Sequence, residues 1–290
     1  MKNISEPTHE TLNFDISKFR LNPDGDIDQW EKFVRDFEIK KALLGFEKEH
    51  FSSGLELGCG SGRHSKQLSH YCKKLIAMEY NEERLFEKNS SKISFTIGDA
   101  QDLSCFADKE FDLVFSSNLI EHLPKIDGCI SECARVATDD GVIIHMVPNR
   151  TWKFFNLALY YPFLIKTVFN RLFSKFKTSE TRASVNSDAQ LDMNLRPPEK
   201  RSFLVKFLPG KPHGISNSHL REFSVWGQQN WINTFEKNGL VVERIVPQPF
   251  YTGYEDNFRN LLRFGNHLGW SSCTGYILKK RPRRASHRVI

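Results

Sequence analysis

The chain has no apolar run long enough to cross a bilayer. Its most apolar window, FFNLALYYPFLI from Phe154 to Ile165, stops well short of the roughly 18 to 20 residues that a spanning helix needs. The opening segment MKNISEPTHETLNFDISKFR lacks the apolar core of a secretory signal, so no export is expected. The six cysteines, Cys59, Cys72, Cys105, Cys129, Cys133 and Cys273, form no CxxC pair and no cysteine–histidine cluster at zinc spacing. No metal site is therefore expected, and the thiols read as reduced residues of a cytoplasmic protein. There is no internal repeat and no low-complexity tract.

What is present is an ordinary globular composition, with 39% hydrophobic and 26% charged residues in 290, and a generous supply of 24 phenylalanines. The net charge of +6 is concentrated in two places, Arg150 to Arg182 and the end KKRPRRASHRVI. From Asp28, the residues Trp30, Phe33, Val34, Phe37 and Leu43 recur near helical spacing and predict a leading helix. Short apolar runs follow at 54–58, 74–79, 93–98, 111–117 and 141–147, each separated by a segment that can be helical. The segment SVWGQQNWINTFEKNGL then predicts one helix ending at Gly239, and the runs LVVERIV and CTGYILKK complete seven strands.

This alternation predicts an α/β fold: a Rossmann-like, seven-stranded, mostly parallel sheet flanked by helices, with a helical lid insertion after the fifth strand. The expected organisation is an N-terminal extension (1–28), one domain (29–280) interrupted by the insertion 150–216, and a basic tail (281–290).

The loop LELGCGSGRHS carries glycines on alternate positions directly after the first strand. Such a loop exposes backbone N–H groups and the positive end of the next helix, which favours a ligand with negative charge. The dinucleotide fingerprint GxGxxG needs a third glycine where this chain has Arg63, which speaks against a pyrophosphate. Glu79 ends the second strand, where a carboxylate can accept both hydroxyls of a ribose, and Asp99 ends the third. Each alone is equally compatible with capping the following helix.

Taken in order, LELGCGSG, AMEY, GDAQDL, FDLVFSSNLIEHLP and GVIIHMVPN resemble the class I S-adenosylmethionine-dependent methyltransferases, in particular those acting on small molecules and lipid-linked substrates. The resemblance is close over residues 50 to 150 and looser over HLREFSVWGQQNWINTFEKNGLVVERI. It implies that S-adenosyl-L-methionine is the cofactor. It further implies that Glu56, Gly58, Gly60 and Gly62 meet the methionine part, and that Glu79 binds the ribose. Asp99 and Ala100 are then expected beside the adenine, and Ser117 and Asn118 alongside the sulfonium.

The methyl of a sulfonium is already activated, so such an enzyme mainly holds a nucleophile in line and excludes water. A hydroxyl acceptor benefits from a general base. His122, which the resemblance places near the substrate side, and His219, with Arg221 nearby, are the candidates. His145, within an apolar strand, reads as a core residue. The (D/N)PP(Y/F) signature of base-amine methyltransferases is replaced by SSNL, and the only Pro-Pro, Pro197-Pro198, lies in the insertion. A base-amine substrate is therefore disfavoured, RNA modification by other routes stays open, and a nucleic-acid partner is not the expectation.

In the insertion, Leu164, Ile165, Val168, Phe169, Leu172, Phe173 and Phe176 recur at helical spacing, with Pro162 expected in the first turn. The opposite face carries Lys166, Asn170, Arg171, Ser174 and Lys175. This basic amphipathic helix, 161–177, has two readings: a lid whose apolar face closes the substrate pocket, or a helix lying on an anionic membrane surface. The function expected is methyl transfer, most simply to oxygen of a small-molecule, glycan or lipid-linked acceptor. The alternatives are an RNA or protein methyltransferase, a nicotinamide-dependent oxidoreductase, or a non-catalytic methyltransferase-like binding protein.

Overall fold

The computed structural model describes residues 27–85, 89–174, 213, 218–254 and 258–282. Most of the expected N-terminal extension, insertion and basic tail lies outside the described residues.

All seven expected strands form: β1 (Phe51–Leu57), β2 (Cys72–Glu79), β3 (Ile93–Ile97), β4 (Phe111–Ser117), β5 (Ala137–Pro148), β6 (Leu240–Pro247) and β7 (Cys273–Lys280). They build one sheet in the order β3-β2-β1-β4-β5-β7-β6. The pairs among β1 to β5 are parallel, and β7 is antiparallel to both β5 and β6. Consecutive residues such as Leu113, Val114 and Phe115, or Ile143 and Ile144, are all fully buried. Successive strand side chains point to opposite faces, so both faces of the sheet are covered, which is why these strands read as continuous apolar runs.

The helices are α1 (Ile27–Ala42), α2 (Arg63–Leu68), α3 (Ile126–Val136), α4 (Arg150–Ser174), α5 (His219–Val225), α6 (Gln228–Lys237) and α7 (Arg259–His267). Cys129 and Cys133 share the buried face of α3.

Two expectations change. The segment predicted as one helix ending at Gly239 is two, α5 and α6, broken at Gly227, whose backbone is extended (φ −72°, ψ 140°). The break has a physical cause in Arg150. Its Nε donates to the Phe223 carbonyl at 2.5 Å and its Nη2 to that of Ser224 at 3.2 Å, satisfying the end of α5. A Cβ at position 227 would lie 2.5 Å from this guanidinium.

The insertion helix begins at Arg150 rather than Tyr161, so Pro162 sits in the helix interior and not in its first turn. A proline there removes the donor for the Ala158 carbonyl. Tertiary packing of the N-terminal half overrides that cost: Trp152 and Lys153 are buried, and Phe155 packs its ring on Phe250 and Trp270, both 4.9 Å away between centroids.

Candidate functional site

β1 lies between β2 and β4, so the connections from β1 and β4 leave in opposite directions and open a crevice at their carboxyl ends. The glycine loop occupies that crevice. Gly58, Gly60 and Gly62 all have positive φ, at 67°, 54° and 77°. A side chain at Gly58 would collide with Leu119, whose Cδ1 would be 2.8 Å from the added Cβ. One at Gly60 would meet no protein atom within 4 Å. Gly60 thus faces open space, and it lines a cavity of about 180 Å³ together with Gly58, Ser117, Asn118 and His122.

Asn118 is itself in the left-handed region (φ 49°), which asparagine tolerates better than most residues. Its backbone N–H donates to the Met146 carbonyl at 2.8 Å, which ties the end of β4 to β5.

The floor of the loop is acidic. Glu56 is buried and accepts from Ser65 Oγ at 2.5 Å, and burial, reinforced by the nearby Glu79 charge, pushes its carboxyl up to about 8. The Glu79 carboxylate accepts from the Gly60 N–H at 2.9 Å and the Asn81 N–H at 3.1 Å, bracing the loop. Asp99 accepts from the Gln101 backbone N–H at 2.9 Å and from its side-chain amide at 3.1 Å. Glu79, Asp99 and the buried Ala100 do not line the cavity.

The remaining wall comes from residues that sequence reasoning did not single out. From α1, Arg35 reaches the cavity and Glu38 stands behind it. Glu38 binds Arg35 Nη1 at 2.8 Å and lies 3.5 Å from Nε2 of His64, itself a wall residue. Burial alone would raise the Glu38 carboxyl, but the Arg35 charge and His64 hold it at about 2. Tyr251 and Trp152 complete this side. No local motif marks Arg35, Trp152 or Tyr251 in the sequence.

A further missed wall residue is His213, contributed by the insertion. Its ring centroid is 4.4 Å from that of His122 and 5.1 Å from that of Trp152. Burial, with help from His122 and Lys153, pushes it down to about 3, so it is neutral at physiological pH. His122 is also lowered, by burial and then by Arg84.

The buried Lys153 pairs with the buried Glu222, and His219 Nδ1 lies 3.8 Å from the same carboxylate. His219 does not line the cavity. His145 is a core residue as expected: Nδ1 bonds Ser116 Oγ at 2.7 Å, and the ring stacks on Phe235. Of α4, only Trp152 lines the cavity among the described residues. Tyr161, Ile165, Val168 and Phe169 are 43 to 68% exposed and do not close over it.

Residues 55–145 match the family described as methyltransferase domain. The chain is 22% identical over 135 residues to the ubiquinone biosynthesis O-methyltransferase of Pelagibacter ubique, covering 44% of this chain and 54% of the relative. Against the enzyme of that name from Bartonella bacilliformis the identity is 25% over 154 residues, or 48% and 62% of the two chains. The matches thus span somewhat more than half the length of these curated relatives.

Among solved structures, the methyltransferase bound to the Trm112 activator in a Haloferax volcanii complex superposes with a TM-score of 0.53 at 12% identity, covering 88% of this chain and 93% of that one. A Listeria monocytogenes protein described as an S-adenosylmethionine-dependent methyltransferase gives 0.50 at 15%, covering 87% and 99%. These likenesses establish the fold. Residues 55–145 carry a methyltransferase domain of the class I S-adenosylmethionine-dependent kind.

The cofactor of such a domain is S-adenosylmethionine, and the residues of this methyltransferase domain fit it on two counts. Gly60 leaves a cradle that any side chain would fill. Glu56 is a buried carboxylate raised by burial, and the ammonium of an amino-acid moiety is the group that would bring it back down.

Proposed function

We propose that this protein is an O-methyltransferase acting on a small-molecule or lipid-linked acceptor. The observation that carries the reading is that the glycine loop and a histidine share one cavity, lined by Gly58, Gly60, Asn118 and His122. Bound there, the cofactor supplies an activated methyl. The chain's own residues do the rest.

Glu56 and the N–H groups of the glycine loop hold the methionine end, Glu79 the ribose, and Asp99 and Ala100 the adenine. Ser117 and Asn118 flank the sulfonium. His122 takes the acceptor's hydroxyl proton, a contribution of about a hundredfold to ten-thousandfold in rate for a positioned base. Trp152 and Tyr251 exclude water, which strengthens these interactions. His219 acts through Glu222 on the Lys153 side of the site rather than on the acceptor itself. The similarity to O-methyltransferases supports oxygen as the methylated atom.

Incubating the full chain with methyl-labelled cofactor and a panel of phenols and other hydroxylated small molecules is expected to give labelled product. His122→Ala should reduce that turnover at least about a hundredfold while S-adenosylhomocysteine binding is kept. Cofactor binding without product from any acceptor would leave a binding protein instead.

A lipid-linked acceptor is favoured by the outer face of α4. Across its 25 residues the helix has no acidic side chain, and Tyr161, Ile165, Val168 and Phe169 stand exposed beside Lys166. No helix among the described residues is long and apolar enough to cross a membrane, so contact would be peripheral. Wild type should float with liposomes containing anionic lipid, and Ile165→Glu with Phe169→Glu should remain at the bottom of the gradient. Equal recovery of both proteins would remove the membrane from this reading.

A further inference from the structure

The sequence offers no cysteine–histidine cluster, yet folding assembles a different set of donors at the cavity. Glu121, His122 and His213 each present one donor atom, and the three atoms lie within 4.8 Å of one another. Glu121 is 4% exposed, and neither of its carboxylate oxygens has a hydrogen-bond partner among the described residues. His122 Nε2 lies 3.6 Å from Oε1, too long for a hydrogen bond. A buried carboxylate in that condition is costly unless a cation or a proton satisfies it. The imidazoles of His122 and His213, their ring centroids 4.4 Å apart, stand beside it.

We propose that Glu121, His122 and His213 form a binding site for a divalent ion of the zinc class. Three considerations select that class. Two imidazoles and one carboxylate are the donor set of open, catalytic-type zinc sites, whereas magnesium and calcium take oxygen donors almost throughout. Bonds of about 2.0–2.2 Å at tetrahedral angles place donor atoms roughly 3.4 Å apart, and the Glu121–His122 edge already measures 3.6 Å. The two edges to His213 are at most 4.8 Å.

The site also has the required open side. His122 and His213 line the cavity while Glu121 lies behind them, so the fourth position faces the space beside Asn118. An acceptor oxygen would occupy it, with His122 serving as ligand while the ion is bound and as proton acceptor only in its absence. That last consequence rests on the methyl-transfer reading; the ion site does not.

The test uses the full chain, stripped of metal with a chelator and titrated with zinc by calorimetry. One equivalent should bind, and His213→Ala and Glu121→Gln should each weaken it at least about tenfold. Cys105→Ser, which alters the exposed thiol, should bind as wild type. S-adenosylhomocysteine binding is measured on every variant as the check of fold and of the methyltransferase reading independently of the ion.

If a variant does not fold, cobalt(II) added to wild type decides, since it must shift the ring-proton resonances of His122 and His213. No zinc uptake, uptake undiminished in a folded ligand variant, or unshifted histidine resonances would each overturn the site. None of those results would touch the cofactor assignment.

Discussion

Replacing Gly60 by valine is expected to weaken S-adenosylhomocysteine binding at least about a hundredfold, equivalent to about 2.7 kcal/mol. Two effects combine. With φ at 54°, the position sits where a side chain costs roughly 1–2 kcal/mol, and a β-branched one more. The new side chain would also project into space that no protein atom occupies and that the ligand needs. If the strain is relieved by turning the loop, the Gly60 N–H leaves Glu79, and the brace between the first two strands is lost with it. Gly60→Ala should fall between the two. Calorimetry at matched protein stability checks this, and an affinity within a few-fold of wild type for the valine variant would show that the ligand lies elsewhere.

Replacing Glu38 by alanine is expected to lower the free energy of unfolding by about 3–5 kcal/mol, because removing one partner of a buried ion pair strands the other. Glu38 is fully buried, and Arg35 and His64 both lean on it from different elements. The pH dependence has a definite sign. The Glu38 carboxyl is held at about 2 in the fold against an ordinary 4.5, so its stabilisation is present above about 4.5 and is lost as pH falls towards 2.

That shift corresponds to about 3 kcal/mol. Glu56, raised to about 8, acts in the opposite direction: its folded state is favoured below the ordinary carboxyl range, and that advantage disappears as pH rises through 8. Urea unfolding of wild type and Glu38→Gln from pH 6 to pH 3 should therefore show a stability gap that narrows below about pH 4.5. A gap independent of pH would mean that the residue acts by packing alone.

The seven strands, the glycine loop and the acids at the ends of β2 and β3 were all legible before any fold was seen. Each rests on a local rule: period-two or continuous apolar runs for strands, positive φ for the glycines, acidic residues at strand ends. The leading helix was legible for the same reason, from the spacing of Val34, Phe37 and Leu43, all buried. The break at Gly227 was not, because it depends on a guanidinium from the start of α4 reaching the last carbonyls of α5. The start of α4 was missed because Pro162 argued for a first turn, and only the packing of Trp152 and Phe155 shows why the helix runs through it.

The site divides along the same line. Taken alone, the sequence determined the class of fold, the crevice at the end of β1 and the kind of ligand its glycines would admit. Only the tertiary structure decided what walls the cavity there: Arg35 from α1 with Glu38 behind it, Tyr251 after β6, His213 from the insertion, and the juxtaposition of His213 with Glu121 and His122. A strand or a turn is specified by neighbours in the chain. A cavity wall is specified by side chains from distant segments that share one desolvated space, where an unpaired carboxylate or a close pair of imidazoles acquires a meaning it does not have in a row of letters.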